Sequence, residues 1–136
     1  MPLVVWTDRY ATGIEAIDEQ HQQLFKAVND LHDGLMAGKA KESIEKTLDF
    51  LVEYTLRHFQ TEENFMHQQG FEGLPAHRSE HKLLLDEVAT FREQYTRNAA
   101  AVRPMEVARF LGDWLTHHIH QMDMQYALYV KGRGAR

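Results

Sequence analysis

The chain has no cysteine among its 136 residues. That removes disulfides, thiolate-held zinc and iron–sulfur clusters, and leaves nitrogen and oxygen as the donors for any metal. Positive charge is also short: 15 Lys and Arg against 20 Asp and Glu give a net charge of -5. Binding to nucleic-acid phosphates, which needs clustered cations, is therefore not expected. No apolar run is long enough to cross a bilayer, so no integral membrane segment is expected. The opening stretch Met1-Pro2-Leu3-Val4-Val5-Trp6 lacks a basic leader and gives way to Thr7-Asp8-Arg9, unlike a secretory signal. A cytoplasmic protein is the expectation.

What is present is enough for one domain over residues 1–136, 43% of them hydrophobic. Gly13, Gly34 and Gly38, Gly70 with Gly73 and Pro75, a loop ending at Pro104, and Gly132 with Gly134 punctuate the chain. The stretches between them predict helices over about 18–37, 41–69, 75–97 and 104–131, with Asp18 as an N-cap and Pro75 and Pro104 in first turns. Apolar residues recur at helical spacing in each: Ile17, Leu24, Val28, Leu31, Leu35; then Ile44, Leu48, Leu51, Phe59, Phe65; then Leu84, Val88, Phe91, Tyr95; then Val107, Phe110, Leu111, Trp114, Leu115, Ile119, Met122, Tyr126. Short connections make sequential helices antiparallel neighbours, so the fold class is all-α, an up-down-up-down four-helix bundle. Residues 1–16 form an N-terminal arm, with Trp6 packed on the outside. The basic, glycine-rich end from Lys131 to Arg136 reads as a frayed tail.

Ionisable side chains interrupt these stripes. Positions four apart on a helix differ by only about 40° and share a face. By that rule His21 lies between Ile17 and Leu24, His58 and Glu62 between Leu51 and Phe65, His77 and His81 on the stripe continued by Leu84, and His118 between Trp114 and Met122. His117 and His120 fall about 100° and 200° from His118, toward solvent, and are poor ligand candidates. Asp123 is five residues from His118, an offset of about 140° in an ideal helix. A local π-type turn would bring it nearer the core.

One buried histidine is usually a hydrogen-bonded structural group. Two carboxylates among five histidines at the core are different, because each ionised carboxylate withdrawn from water costs several kcal/mol unless positive charge compensates it. Cations at the centre would compensate. Five imidazoles and two bridging carboxylates supply nine bonds, and the two ends of a bridging oxide or hydroxide bring this to eleven of the twelve positions on two octahedral metals, leaving one open. One tetrahedral zinc would use only four ligands. Iron fits the donor set best, while copper and manganese remain compatible with the count.

The pattern resembles the hemerythrin family, and specifically the single-domain bacteriohemerythrins, over essentially the whole chain. The family motifs are matched by Asp18-Glu19-Gln20-His21, His58-Phe59-Gln60-Thr61-Glu62, His77-Arg78-Ser79-Glu80-His81 and His118-Ile119-His120-Gln121-Met122-Asp123. The resemblance implies two non-haem irons with a bridging oxide or hydroxide. His77, His81 and His118 would hold one iron, His21 and His58 the other, and Glu62 and Asp123 would bridge them. It also implies a dioxygen pocket walled by Leu24, Phe59, Trp114, Leu115 and Ile119, all apolar here. Dry walls deny bound oxygen a proton donor, which favours carriage over bond cleavage.

The expected function is reversible dioxygen binding for storage or delivery, without enzymatic activity, in a monomer that passes oxygen to an oxygen-consuming enzyme in the delivery case. The competing expectation is a di-iron oxidative enzyme or reductase acting on dioxygen, peroxide or nitric oxide. An oxygenase of the ferritin-like sort would show more carboxylates in Glu-x-x-His pairs. Met66 and Met122 are expected as core fillers, and His32 and His67 as surface or satisfied groups.

Overall fold

The computed structural model describes residues 3–38, 41–98 and 103–134, without the side chains of 41–44, 104, 133 and 134. The side chain of Ile44 in the second stripe, most of the loop before Pro104 and the last residues of the tail lie outside what is described. A short 3-10 turn at Asp8–Tyr10 precedes α1 (Glu15–Met36), α2 (Lys41–Gln68), α3 (Leu74–Arg97), α4 (Pro104–His118), a π turn (Ile119–Asp123) and α5 (Met124–Gly134). The last three are consecutive and form the fourth rod of an all-α bundle. No strand occurs among the described residues, and no helix among them is long and apolar enough to cross a membrane.

The antiparallel order is visible in cross-helix contacts. Arg78 Nε donates to Glu63 at 3.1 Å, while Arg92, further along α3, donates to Asp49, further back along α2, at 3.4 Å. Apolar stripes from the four rods meet in one large cluster that includes Leu24, Val28, Leu51, Leu84, Val88 and Leu111. A second cluster of Ile17, Met66, Leu74 and Tyr126 closes the other end. Between them on every rod lie the ionisable residues, so the core is two greasy masses separated by a polar layer.

Three local features differ from expectation. Asp18 does not cap α1, because the helix starts three residues earlier and Ile14 occupies the cap position. The Asp18 carboxylate instead accepts from Thr12 N at 2.7 Å, Thr12 Oγ1 at 2.7 Å and Gly13 N at 3.0 Å, tying down the segment that enters the helix. Gly13 itself sits at φ 84, a left-handed conformation that glycine adopts without a Cβ penalty. The fourth rod also extends past residue 131 to Gly134, so the expected tail is helical there. Met122 is half-buried, not a core filler, whereas Met66 is fully buried.

The N-terminal arm lies across α1 and α4. Asn29 holds its backbone twice, accepting from Val4 N at 2.9 Å and donating to Val4 O at 2.8 Å. Trp6 meets Phe25 edge-on at 5.4 Å, and a Cβ on Gly112 would come within 3.1 Å of the Val4 side chain.

Candidate metal centre

Each ionisable residue of the polar layer reaches it by helical periodicity, except Asp123. His58 and Glu62 of α2 and His77 and His81 of α3 are pairs one turn apart, and His21 and His118 stand singly on α1 and α4. Asp123 depends on the π turn, whose hydrogen bonds close one residue wider than those of an α-helix, so that five residues make roughly one turn. Asp123 is thereby returned to the face of His118 and is 1% exposed, with Oδ1 3.1 Å from His118 Nε2. The same turn resets the register so that Tyr126 and Ala127 come back to the core.

All seven side chains are buried and form two overlapping groups. One contains Glu62, His77, His81, His118 and Asp123, the other His21, His58, Glu62 and Asp123, and the donor atoms within each lie within 4.8 Å of one another. The carboxylates divide their oxygens between the groups. Glu62 Oε1 faces His77 and His81, each at 3.3 Å, while Oε2 faces His58 at 3.3 Å and His21 at 3.5 Å. Asp123 Oδ1 faces His77 at 2.7 Å and His118 at 3.1 Å, while Oδ2 faces His21 at 3.1 Å. Adjacent donors of an octahedral ion with bonds of about 2.1 Å lie about 3 Å apart, the spacing found here.

Aromatic plates and hydrogen bonds fix the imidazoles from behind. Phe59 stacks on His81 with centroids 3.6 Å apart and planes 2° from parallel, and Trp114 stacks on His118 at 4.4 Å and 11°. His58 Nδ1 donates to Gln20 Oε1 at 2.8 Å, and His81 Nδ1 donates to Glu63 Oε2 at 2.8 Å. A proton committed to Nδ1 leaves the Nε2 lone pair directed inward, the tautomer a metal ligand needs. Sequence reasoning passed over Gln20 and Glu63. The available signal was their position beside His21 and Glu62, about 100° off the stripe, where a long polar side chain can reach the flank of a neighbouring helix.

Electrostatics in this layer oppose burial against pairing. Burial disfavours charge on His21 and His77, yet Asp123 and Glu62 outweigh it and raise each imidazole to about 9. His58 goes the other way, lowered chiefly by burial, with the neighbouring His21 charge adding to the effect. Burial alone would raise Glu62, but His21, His58, His77 and His81 hold it well below the usual carboxylate range. Burial and the Glu62 charge both push Asp123 up, and His118 and His21 overcome them to keep it low. Near neutral pH the raised His21 and His77 imidazoles thus carry positive charge against the two carboxylates. Several buried atoms still have no hydrogen-bond partner: both nitrogens of His21, both oxygens of Glu62, Oδ2 of Asp123 and Nδ1 of His118. Such orphans cost roughly 1–3 kcal/mol each, and most of these point into the two donor groups, so the residues present suit a pair of cations.

Among the pocket-wall candidates, Leu24, Phe59, Trp114 and Leu115 line a small cavity of about 20 Å³ with Val28, Leu51, Leu84, Val88 and Leu111 and one hydroxyl residue, Thr55. Ile119 is fully buried in the same core and does not line it. His117, His120 and His67 are exposed, and His32 is half-buried, all outside the two donor groups.

The model of the hemerythrin HHE cation binding domain matches residues 12–129. The chain belongs to the hemerythrin family. It is similar to a bacteriohemerythrin of Methylococcus capsulatus, 35% identical over 127 residues that cover 93% of this chain and 95% of that one. A myohemerythrin of Sipunculus nudus is 30% identical over 124 residues, covering 90% and 89% of the two chains. A crystal structure of wild-type hemerythrin superposes with a TM-score of 0.85 at 34% identity, covering 92% of this chain and 95% of that one. The hemerythrin family's up-down-up-down bundle accounts for the rods described above, and the polar layer falls wholly within the matched residues.

Proposed function

We propose that this hemerythrin-family chain binds dioxygen reversibly at a pair of non-haem irons, for oxygen storage or delivery. The observation that carries the reading is the division of each carboxylate's oxygens between a three-histidine and a two-histidine group. A bridging oxide or hydroxide would complete the pair. When bound, the ferrous irons supply two electrons and an open coordination position.

The chain's own residues do the rest. His77, His81 and His118 hold one side, His21 and His58 the other, and Glu62 and Asp123 span both and balance charge that burial would otherwise make prohibitive. The two-histidine group offers four donors against five, which supports an open position on that side. Leu24, Phe59, Trp114, Leu115 and Ile119 exclude water around it. The lined cavity of about 20 Å³ accommodates one small molecule, too little for an organic substrate. Its walls carry no acid or base, which supports oxygen binding over an enzymatic use of the same centre. Delivery would need an oxygen-consuming enzyme as recipient, and a monomer satisfies the site, since every donor comes from one chain.

The test is anaerobic purification with ferrous iron, measurement of metal per chain, and visible absorption through repeated cycles of air and deoxygenation. Two irons and a band that appears and disappears with oxygen are expected. One metal per chain, or irreversible bleaching with turnover of an added substrate, would overturn the reading.

A further inference from the structure

The two groups of donors are supported from behind by different chemistry. On the three-histidine side, His81 Nδ1 donates to the Glu63 carboxylate at 2.8 Å, and Arg78 Nε donates to the other Glu63 oxygen at 3.1 Å. On the two-histidine side, His58 Nδ1 donates to the Gln20 amide oxygen at 2.8 Å, while Gln20 Nε2 donates to Thr61 Oγ1 at 3.4 Å, whose own hydroxyl donates to Arg57 O at 3.0 Å. Both arrangements fix the same tautomer at nearly the same distance. They differ in the acceptor: Glu63 is a carboxylate, its charge offset only in part by the exposed Arg78 on its far oxygen, and Gln20 is a neutral amide.

An anion on Nδ1–H draws that proton toward itself and makes Nε2 the stronger electron donor, an effect worth most to the more highly charged metal. A neutral amide orients the ring with much less of this push. We infer that Glu63 and Gln20 are positioning residues that make the two halves of the centre electronically unequal, with Glu63 lowering the reduction potential on the His77, His81 and His118 side. The two-histidine side, supported by Gln20, is then the half that accepts the first electron when the oxidised pair is re-reduced by an external one-electron donor. The inference rests on the di-iron reading above.

The experiment compares iron-loaded parent protein with Glu63→Gln and Gln20→Glu by potentiometric titration. Glu63→Gln keeps an acceptor oxygen for His81, so the ring stays oriented while the charge is lost. Its potential should rise by the equivalent of about a tenfold change in the oxidised-to-reduced ratio, or ~59 mV for one electron. Gln20→Glu should shift the potential in the opposite direction. A purely structural role would alter the melting temperature without opposite shifts in potential. In the metal-free protein, the His81 Nδ1–H proton should give a slowly exchanging, downfield NMR resonance that moves upfield in Glu63→Gln and is lost to exchange in Glu63→Ala. Unmoved potentials in protein holding two irons would overturn this inference alone. Failure of the parent to hold two irons would overturn the di-iron reading and this inference with it.

Discussion

Metal uptake by this chain should release about two protons from its imidazoles near pH 7, beyond the one a water would give up in becoming a bridging hydroxide, because the metal-free centre balances its charge with protons that a cation must displace. His21 and His77, each raised to about 9, are almost fully protonated at that pH, while Glu62 and Asp123 remain ionised. Both imidazoles must surrender a proton to offer Nε2. Apparent affinity for the metal pair should therefore rise by at least about 100-fold per pH unit between about 7 and 8.5, tenfold for each imidazole proton, and more shallowly above 9, where only the bridging water still gives one up. Calorimetric titration of the metal-free protein with ferrous or cobaltous ion, in buffers of differing ionisation enthalpy, counts the protons directly. Release of no more than one proton at pH 7, or an affinity flat between pH 7 and 9, would refute the reasoning. The same groups set the stability of the metal-free fold. A histidine whose pKa is raised on folding contributes stability that is fully present below about 6.5 and lost as pH rises through about 9. The lowered His58 acts in a separate, more acidic range: its contribution is present above about 6.5 and lost as pH falls through its depressed folded value. Between pH 6.5 and 9 only the raised pair changes its charge, so the melting temperature of metal-free protein should fall across that range, where metal binding strengthens.

Replacing His118 by Ala should abolish the oxygen-dependent visible band, while His117→Ala and His120→Ala, on exposed side chains, should leave it nearly intact in the same spectra. Asn29→Ala removes two bonds to the Val4 backbone and should cost about 1–2 kcal/mol in chemical denaturation, with Trp6 fluorescence shifting as the arm loosens. Gly73→Ala would place a Cβ 2.6 Å from the Phe71 ring, which packs on Tyr126 at 5.2 Å, so a loss of roughly 1–3 kcal/mol in thermal or denaturant unfolding is expected.

Much of the bundle was legible because helix periodicity is local. Apolar residues three and four apart, punctuated by Gly70, Pro75 and Pro104, mark rods whose ends differ from expectation by three residues or fewer. The error at Asp18 has a local cause as well: a carboxylate just before a stripe looks like a cap from sequence, yet here it reaches backward to Thr12 and Gly13 from within the first turn. Six of the seven ionisable core residues share a face with apolar neighbours by simple angular addition. Asp123 does not, and its place depends on a π turn that an ideal wheel cannot display.

The sequence by itself determined the helical rods, the placement of five histidines and Glu62 on their apolar faces, and the exclusion of thiolate chemistry, since each follows from residue type and short-range spacing. Tertiary structure decided which oxygen of Glu62 and Asp123 faces which histidines, the small cavity beside the aromatic plates, and the unequal support from Glu63 and Gln20. Those features are contacts between helices, set by the rotation and separation of packed rods, and no spacing within a single helix encodes them.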